Sequence, residues 1–266
     1  MKNTETSVLG NLVGGNALTA ADRNRLVLKI GKGQSKQRAR DITDNIEGQY
    51  ANQFAAMTQA EQQVVQKAVS DYTLDSAAIN ASCRAGNPNA NALNIDHAFQ
   101  IYVGHGFTTQ QRVVYRLMTY KPPAISPYGA AVAPNIVAGD LIRDLGFFSS
   151  SEHRQFLING IKNPPVGSRY IKFVIIGQGG INISGGGAYT NANEQAYLKQ
   201  IHPKSHAFKT AEAGQAEILF PRNTVIRIES VTVNVDHTHV SASIVHPQPG
   251  AGGLVKDSFA GRLKPE

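Results

Sequence analysis

Apolar positions in "TQAEQQVVQKAVSDY" (58–72) recur at Val65, Ala68, Val69 and Tyr72, the i, i+3, i+4, i+7 spacing that lines one face of a helix. Thr58 and Glu61 stand at its head in capping-box spacing, which closes a helix N-terminus. A second, shorter helix is predicted over "DSAAINASCR" (75–84), with Ala78, Ile79 and Cys83 inward and Arg84 at its C-terminal end. After the polar loop "AGNPNANAL" a third helical piece, "NIDHAFQIYV", leads to "TTQQRVVYRLMTY", where β-branched and aromatic residues predict the first strand. From there short strands alternate with Gly- and Pro-rich turns: "RYIKFVIIG" at 169–177, "AEILFP" at 216–221, "TVIRIESVTVNV" at 224–235 and "HVSASIVH" at 239–246. Helices first and strands afterwards predict an α+β domain, not a βαβ array.

The pattern divides the chain. Residues 1–36 carry no sustained period and read as a flexible leader. A single domain spans 37–246, with a helical lobe over about 37–108 and a β core over about 109–246. The tail 247–266, "PQPGAGGLVKDSFAGRLKPE", is rich in Pro and Gly and is expected to be mobile. The loop-rich stretch 178–214 is long for a compact domain, and such loops are usually functional.

Composition narrows the class. The chain has 266 residues, 41% hydrophobic and 17% charged, enough for one large core or two small ones. Lys plus Arg number 26 against 19 Asp plus Glu, a net charge of +7, but the basic residues are scattered and their longest cluster is "KGQSKQRAR" at 32–40. A solvated basic surface is the simpler reading, so no nucleic-acid partner is expected. Cys83 stands alone, which excludes an intramolecular disulfide, and no Cys/His set has zinc spacing. The first twenty residues lack the apolar core of a secretory signal, and no run of about 18 apolar residues predicts a membrane span.

Taken singly, the candidate chemical motifs are weak. "GQGGINISGGG" at 177–187 has neither the Lys-Ser/Thr ending of a phosphate loop nor the strand-to-helix setting of a dinucleotide fingerprint, so a plain turn is favoured. "DHTHV" at 236–240 offers His237, His239 and Asp236, but two imidazoles without a clear third ligand more often mark a hairpin surface. The same discount applies to His202 and His206. No metal is expected. Arg116 sits in an apolar strand, where an unpaired guanidinium is costly, so it must emerge, form a salt bridge or meet a fixed anion. "GFFSSSEH" at 146–153 delivers three hydroxyls after two aromatics, and alternation puts Gln215 and Glu217 on one face of their strand.

In order along the chain, these last three resemble the Arg-Ser-Glu class of mono-ADP-ribosyltransferases, which includes the clostridial Rho-modifying exoenzymes and the actin-modifying toxins. "AGQAEILFPRNT" is similar to the exoenzymes' catalytic segment with its Gln-x-Glu, apolar strand and Pro-Arg turn. "GFFSSS" resembles that family's Gly-Phe-x-Ser-Thr-Ser, with Ser150 where Thr is usual, and "YTLDSAAINASCR" resembles its Tyr…Ile-Asn-x-x-x-Arg helix. The resemblance covers about residues 55–235.

What it implies is specific. The fold would be a helical lobe packed on a two-sheet β-sandwich core, and the substrate NAD, whose nicotinamide–ribose bond breaks through an oxocarbenium-like state. Glu217 would hold the ribose and favour that cation, Ser149 would orient Glu217 or touch the ribose, and Arg116 with Arg84 would bind the dinucleotide phosphates. Gln215 would meet the acceptor side chain, favouring Asn or Gln, with Phe208 in the preceding loop as an aromatic anchor if exposed. The acceptor would be a host protein, a Rho-type small GTPase first and actin second. A monomeric toxin or effector, secreted or injected by a bacterium and acting in the target-cell cytosol without membrane contact, fits this reading. By analogy it suits the C-terminal module of a toxin complex. An NAD glycohydrolase without protein acceptor and a non-catalytic binding module of the same fold are the alternatives.

Overall fold

The computed structural model describes residues 45, 48–120, 136–153, 169–183, 216–234, 237–245, 254–257 and 263–265. The expected leader 1–36, most of the loop 178–214, and with them Phe208, Gln215, His202, His206 and Asp236, lie outside these residues.

The first two predicted helices form one element, α1 (Gln59–Arg84). Thr58 Oγ1 accepts the Glu61 N–H at 3.3 Å and the Thr58 N–H donates to Glu61 Oε2 at 2.8 Å, so the capping box is closed both ways. Between the predicted halves the chain breaks helical geometry at Asp75 (φ −144°, ψ 45°), whose carboxylate accepts the Ala78 N–H at 3.3 Å and caps the second half. The buried face keeps its phase across this break. Val65, Ala68, Val69, Tyr72, Ile79 and Cys83 are buried as expected, but Ala78 is exposed and Asn80 takes an inward position instead. Helix α2 (Ala90–Gly104) begins earlier than the apolar pattern indicates because Asn89 caps it, accepting the Ala92 N–H at 2.9 Å.

The strands are β1 (Arg112–Tyr120), β2 (Leu141–Asp144), β3 (Phe148–Ser151), β4 (Arg169–Gly177), β5 (Ile181–Asn182), β6 (Glu217–Phe220), β7 (Thr224–Val233), β8 (His237–Val245), β9 (Leu254–Asp257) and β10 (Leu263–Pro265). Hydrogen bonding joins all ten in the order β10-β9-β2-β7-β8-β4-β1-β3-β6-β5, mostly antiparallel. The expected pair of sheets is therefore bonded into one, yet the link between its two parts is slender: β1 and β3 meet at the single pair Tyr115↔Ser151. Apolar side chains from both sides of that link, among them Val114, Ile171, Phe173, Ile218 and Phe220, share one core. The tail expected to be mobile supplies β9 and β10, and β9 runs parallel to β2.

Strand β6 divides the two cores by its alternation. Ile218 and Phe220 enter the core between strands, whereas Leu219 joins the helical one with Val69, Ile79 and Phe147. Glu217 shares the parity of Leu219 and so opens toward the helical lobe. No helix among the described residues is long and apolar enough to cross a membrane.

Candidate active site

At the β1–β3 link, Arg116 and Ser149 come together from opposite sides. Arg116 Nη1 donates to the Ser149 carbonyl at 2.7 Å, and its guanidinium lies 4.2 Å from the centroid of the Phe148 ring, a cation–π contact. The antiparallel register of β3 and β6 puts Ser149 opposite Leu219 and Ser151 opposite Glu217, so Ser149 and Glu217 are diagonal neighbours on one face. Ser149 Oγ donates to Glu217 Oε1 at 2.5 Å, a short charge-assisted bond. Burial pushes the Glu217 carboxyl above the usual carboxylate range, while the Ser149 hydroxyl and the Arg116 charge act the other way. The residue before it, Ala216, holds a left-handed φ of 44°, and its carbonyl accepts the Glu152 N–H at 3.0 Å. The entry to the Glu217 strand is thus a pinned, unfavourable turn.

Arg84 arrives from the end of α1. Its Nε and Nη2 reach Asp144 Oδ1 at 3.3 and 3.2 Å, and Arg116 Nη2 reaches Asp144 Oδ2 at 3.5 Å. The Asp144 side chain is only 2% exposed, so both guanidiniums meet on a carboxylate shielded from water. Asn80, one turn before Arg84, accepts the Phe147 N–H at 2.7 Å and donates to the Tyr72 hydroxyl at 3.4 Å. A Cβ at Gly146 would lie 2.8 Å from Asn80 Oδ1, which explains a glycine there. Burial, and secondarily the Glu217 charge, push the Tyr72 hydroxyl well up, so it remains a neutral phenol.

Four of the six residues named from sequence therefore converge: Arg84, Arg116, Ser149 and Glu217. Gln215 and Phe208 lie outside the described residues. The sequence did not single out Asp144 or the inward side chain of Asn80. The Arg of the Pro-Arg turn has a structural use, since Arg222 Nε pairs with Asp96 of α2 at 2.8 Å and ties the end of β6 to the helical lobe. His237 and His239 do meet, with their Nε2 atoms 2.7 Å apart, but among the described residues no group of three or more His, Cys, Asp or Glu is placed to hold a metal ion.

By sequence the chain matches no family model and no curated protein. By structure it is similar to the Vis toxin, an ADP-ribosyltransferase from Vibrio splendidus, at 15% identity and a TM-score of 0.55, over 87% of this chain and 96% of that one. It is also similar to the C3 exoenzyme of Clostridium limosum, at 16% identity and a TM-score of 0.51, over 81% of this chain and 97% of that one. The Paenibacillus larvae ADP-ribosyltransferase toxin Plx2a follows at 16% identity and a TM-score of 0.50, over 78% and 96%. The chain has the α+β fold of the ADP-ribosyltransferase toxins.

Proposed function

We propose that the protein is a mono-ADP-ribosyltransferase that cleaves NAD to nicotinamide and passes ADP-ribose to an Asn or Gln side chain of a host protein, a Rho-type small GTPase first. The observation that carries this reading is the Arg116–Ser149–Glu217 chain of contacts, set in this fold beside a second guanidinium. The donor set fits the substrate. Two planar guanidiniums match the oxygens of a pyrophosphate, and a preorganised carboxylate matches the positive charge that the ribose gains as nicotinamide leaves with the bonding electrons. Glu217 stabilises that charge, and Ser149, bonded to it, keeps its oxygens aimed. The acceptor amide nitrogen then attacks the anomeric carbon and gives up a proton. No metal is needed for any step.

Gln215 carries the acceptor assignment, because a carboxamide pairs with a carboxamide. Gln215→Glu is expected to weaken transfer to protein more than NAD hydrolysis, and equal losses in both assays would sink that role. Agmatine, with which Vis has been crystallised, is the guanidinium acceptor to compare alongside.

The defining experiment is incubation of a host lysate with labelled NAD, followed by mass spectrometry of whatever protein takes up label. One discrete modified band, lost in Glu217→Ala and in Arg116→Ala, is expected, and the modified residue names the target. Rapid NAD loss without a band would make the protein a glycohydrolase; neither signal would leave a binding module.

The ionised form of Glu217 is the working one, and burial raises its pKa, so activity should fall on the acid side at a higher pH than an ordinary glutamate would give. The Ser149 hydrogen bond opposes that rise. Ser149→Ala should therefore move the acid limb of the kcat profile upward and lower kcat about ten- to a hundredfold. An acid limb that stays in place would detach Ser149 from Glu217.

A further inference from the structure

We propose that Asp144 is a positioning residue that fixes Arg84 and Arg116 at the separation a pyrophosphate requires. The inference rests on the NAD reading above and extends it to a residue outside the Arg-Ser-Glu set. Arg84 closes α1 and Arg116 lies within β1, and the sheet pairings do not place one against the other. Asp144 touches both, through Oδ1 to Arg84 and Oδ2 to Arg116. Without a carboxylate between them, two guanidiniums drawn together would repel.

Asp144 is itself held on three sides. Its Oδ1 accepts the Gly146 N–H at 3.0 Å, its carbonyl accepts the Asn223 N–H at 2.9 Å, and β2 pairs with β7 at Asp144↔Thr224. Burial of its side chain to 2% exposure keeps water from replacing either arginine. A guanidinium carries five N–H donors, more than one carboxylate can accept, so Asp144 can steer each fork without occupying it whole.

Charge alone predicts the reverse. Removing a negative group beside two cations should attract a pyrophosphate more strongly and lower KM. Loss of orientation should raise KM and leave kcat nearly unchanged, because phosphates far from the breaking bond are bound alike in ground and transition states. The two ideas therefore differ in sign.

The test is steady-state nicotinamide release from NAD by the full chain carrying Asp144→Asn, which keeps an oxygen for the Gly146 N–H and removes the charge. A rise in KM for NAD of about tenfold with kcat within about threefold is expected. An unchanged or lowered KM, or a loss confined to kcat, overturns the proposal. If Asp144→Asn does not fold because a buried cation is left alone, the double variant Arg84→Gln/Asp144→Asn relieves it. Its KM should then exceed that of Arg84→Gln alone several-fold, since Arg116 also loses its guide, and equal values overturn the proposal. A wild-type chain that neither binds nor cleaves NAD would end both readings; an active wild type with an unmoved KM in the variant ends this one only.

Discussion

Glu217→Gln is expected to lower kcat for NAD cleavage about a thousandfold while KM for NAD stays within about threefold. A preorganised charge facing a developing cation in a shielded site is worth several kcal/mol of barrier, and amide substitution removes the charge while keeping the shape. Stability should move the other way. Because burial raises the folded-state pKa of Glu217 above its unfolded value, the ionised carboxylate works against folding at neutral pH. Its favourable contribution is present below the unfolded pKa and is lost as pH rises through the folded one. Glu217→Gln should accordingly melt at or above the wild-type temperature at pH 7, with the advantage shrinking as pH falls through the raised folded-state pKa and gone by the ordinary carboxylate range. Kinetics and melts on one preparation check both halves. A variant that is inactive and also markedly less stable at pH 7 would make Glu217 a structural residue.

Phe147→Ala should be the costliest single truncation at the site's back wall. Its side chain is fully buried, edge-on to Tyr72 of α1 at 6.0 Å between ring centroids and stacked on Phe99 of α2 at 6.1 Å. Truncating such a ring removes about 3–5 kcal/mol, a large part of the 5–15 kcal/mol that holds an ordinary domain folded. The backbone N–H of residue 147, which alanine keeps, donates to Asn80 Oδ1 and locates the turn in front of Ser149, so the drop reports the ring. Urea titration should show the drop in full. Leu93→Ala on α2, at a side chain 52% exposed, should stay within about 0.5 kcal/mol. A Phe147 loss below about 1 kcal/mol would mean that the lobes are joined elsewhere.

Much of this molecule was legible before folding. The capping box at Thr58, the stripe through Tyr72 and the long strands β4, β7 and β8 carry local signals strong enough to survive tertiary context. Arg116, Ser149 and Glu217 were legible as an ordered set, and Arg84 through its helix motif. Asp144 was not. "LIRD" is too short to establish a period, and nothing local tells a buried acid that bridges two distant arginines from a polar loop residue. Ala78 failed for a different reason: 75–84 was read as a separate helix, so its inward face was set without the stripe through Val65 and Tyr72, which continues in phase to Ile79, Asn80 and Cys83. The two short strands of the tail were not legible because Pro and Gly mark irregular backbone, while β9 and β10 pair with each other and β9 with β2, which local composition does not reveal.

The single backbone pairing between β1 and β3 has a mechanical meaning. Nine residue pairs join β1 to β4 on one side and four join β3 to β6 on the other, against one at the link, so shear between the two parts concentrates at Tyr115↔Ser151. Arg116 stands on one bank of that seam and Ser149 with Glu217 on the other. A dinucleotide gripped from both banks would act as a suture, and amide protons along β3 and β6 should then exchange more slowly when it is bound than packing of the empty protein alone allows.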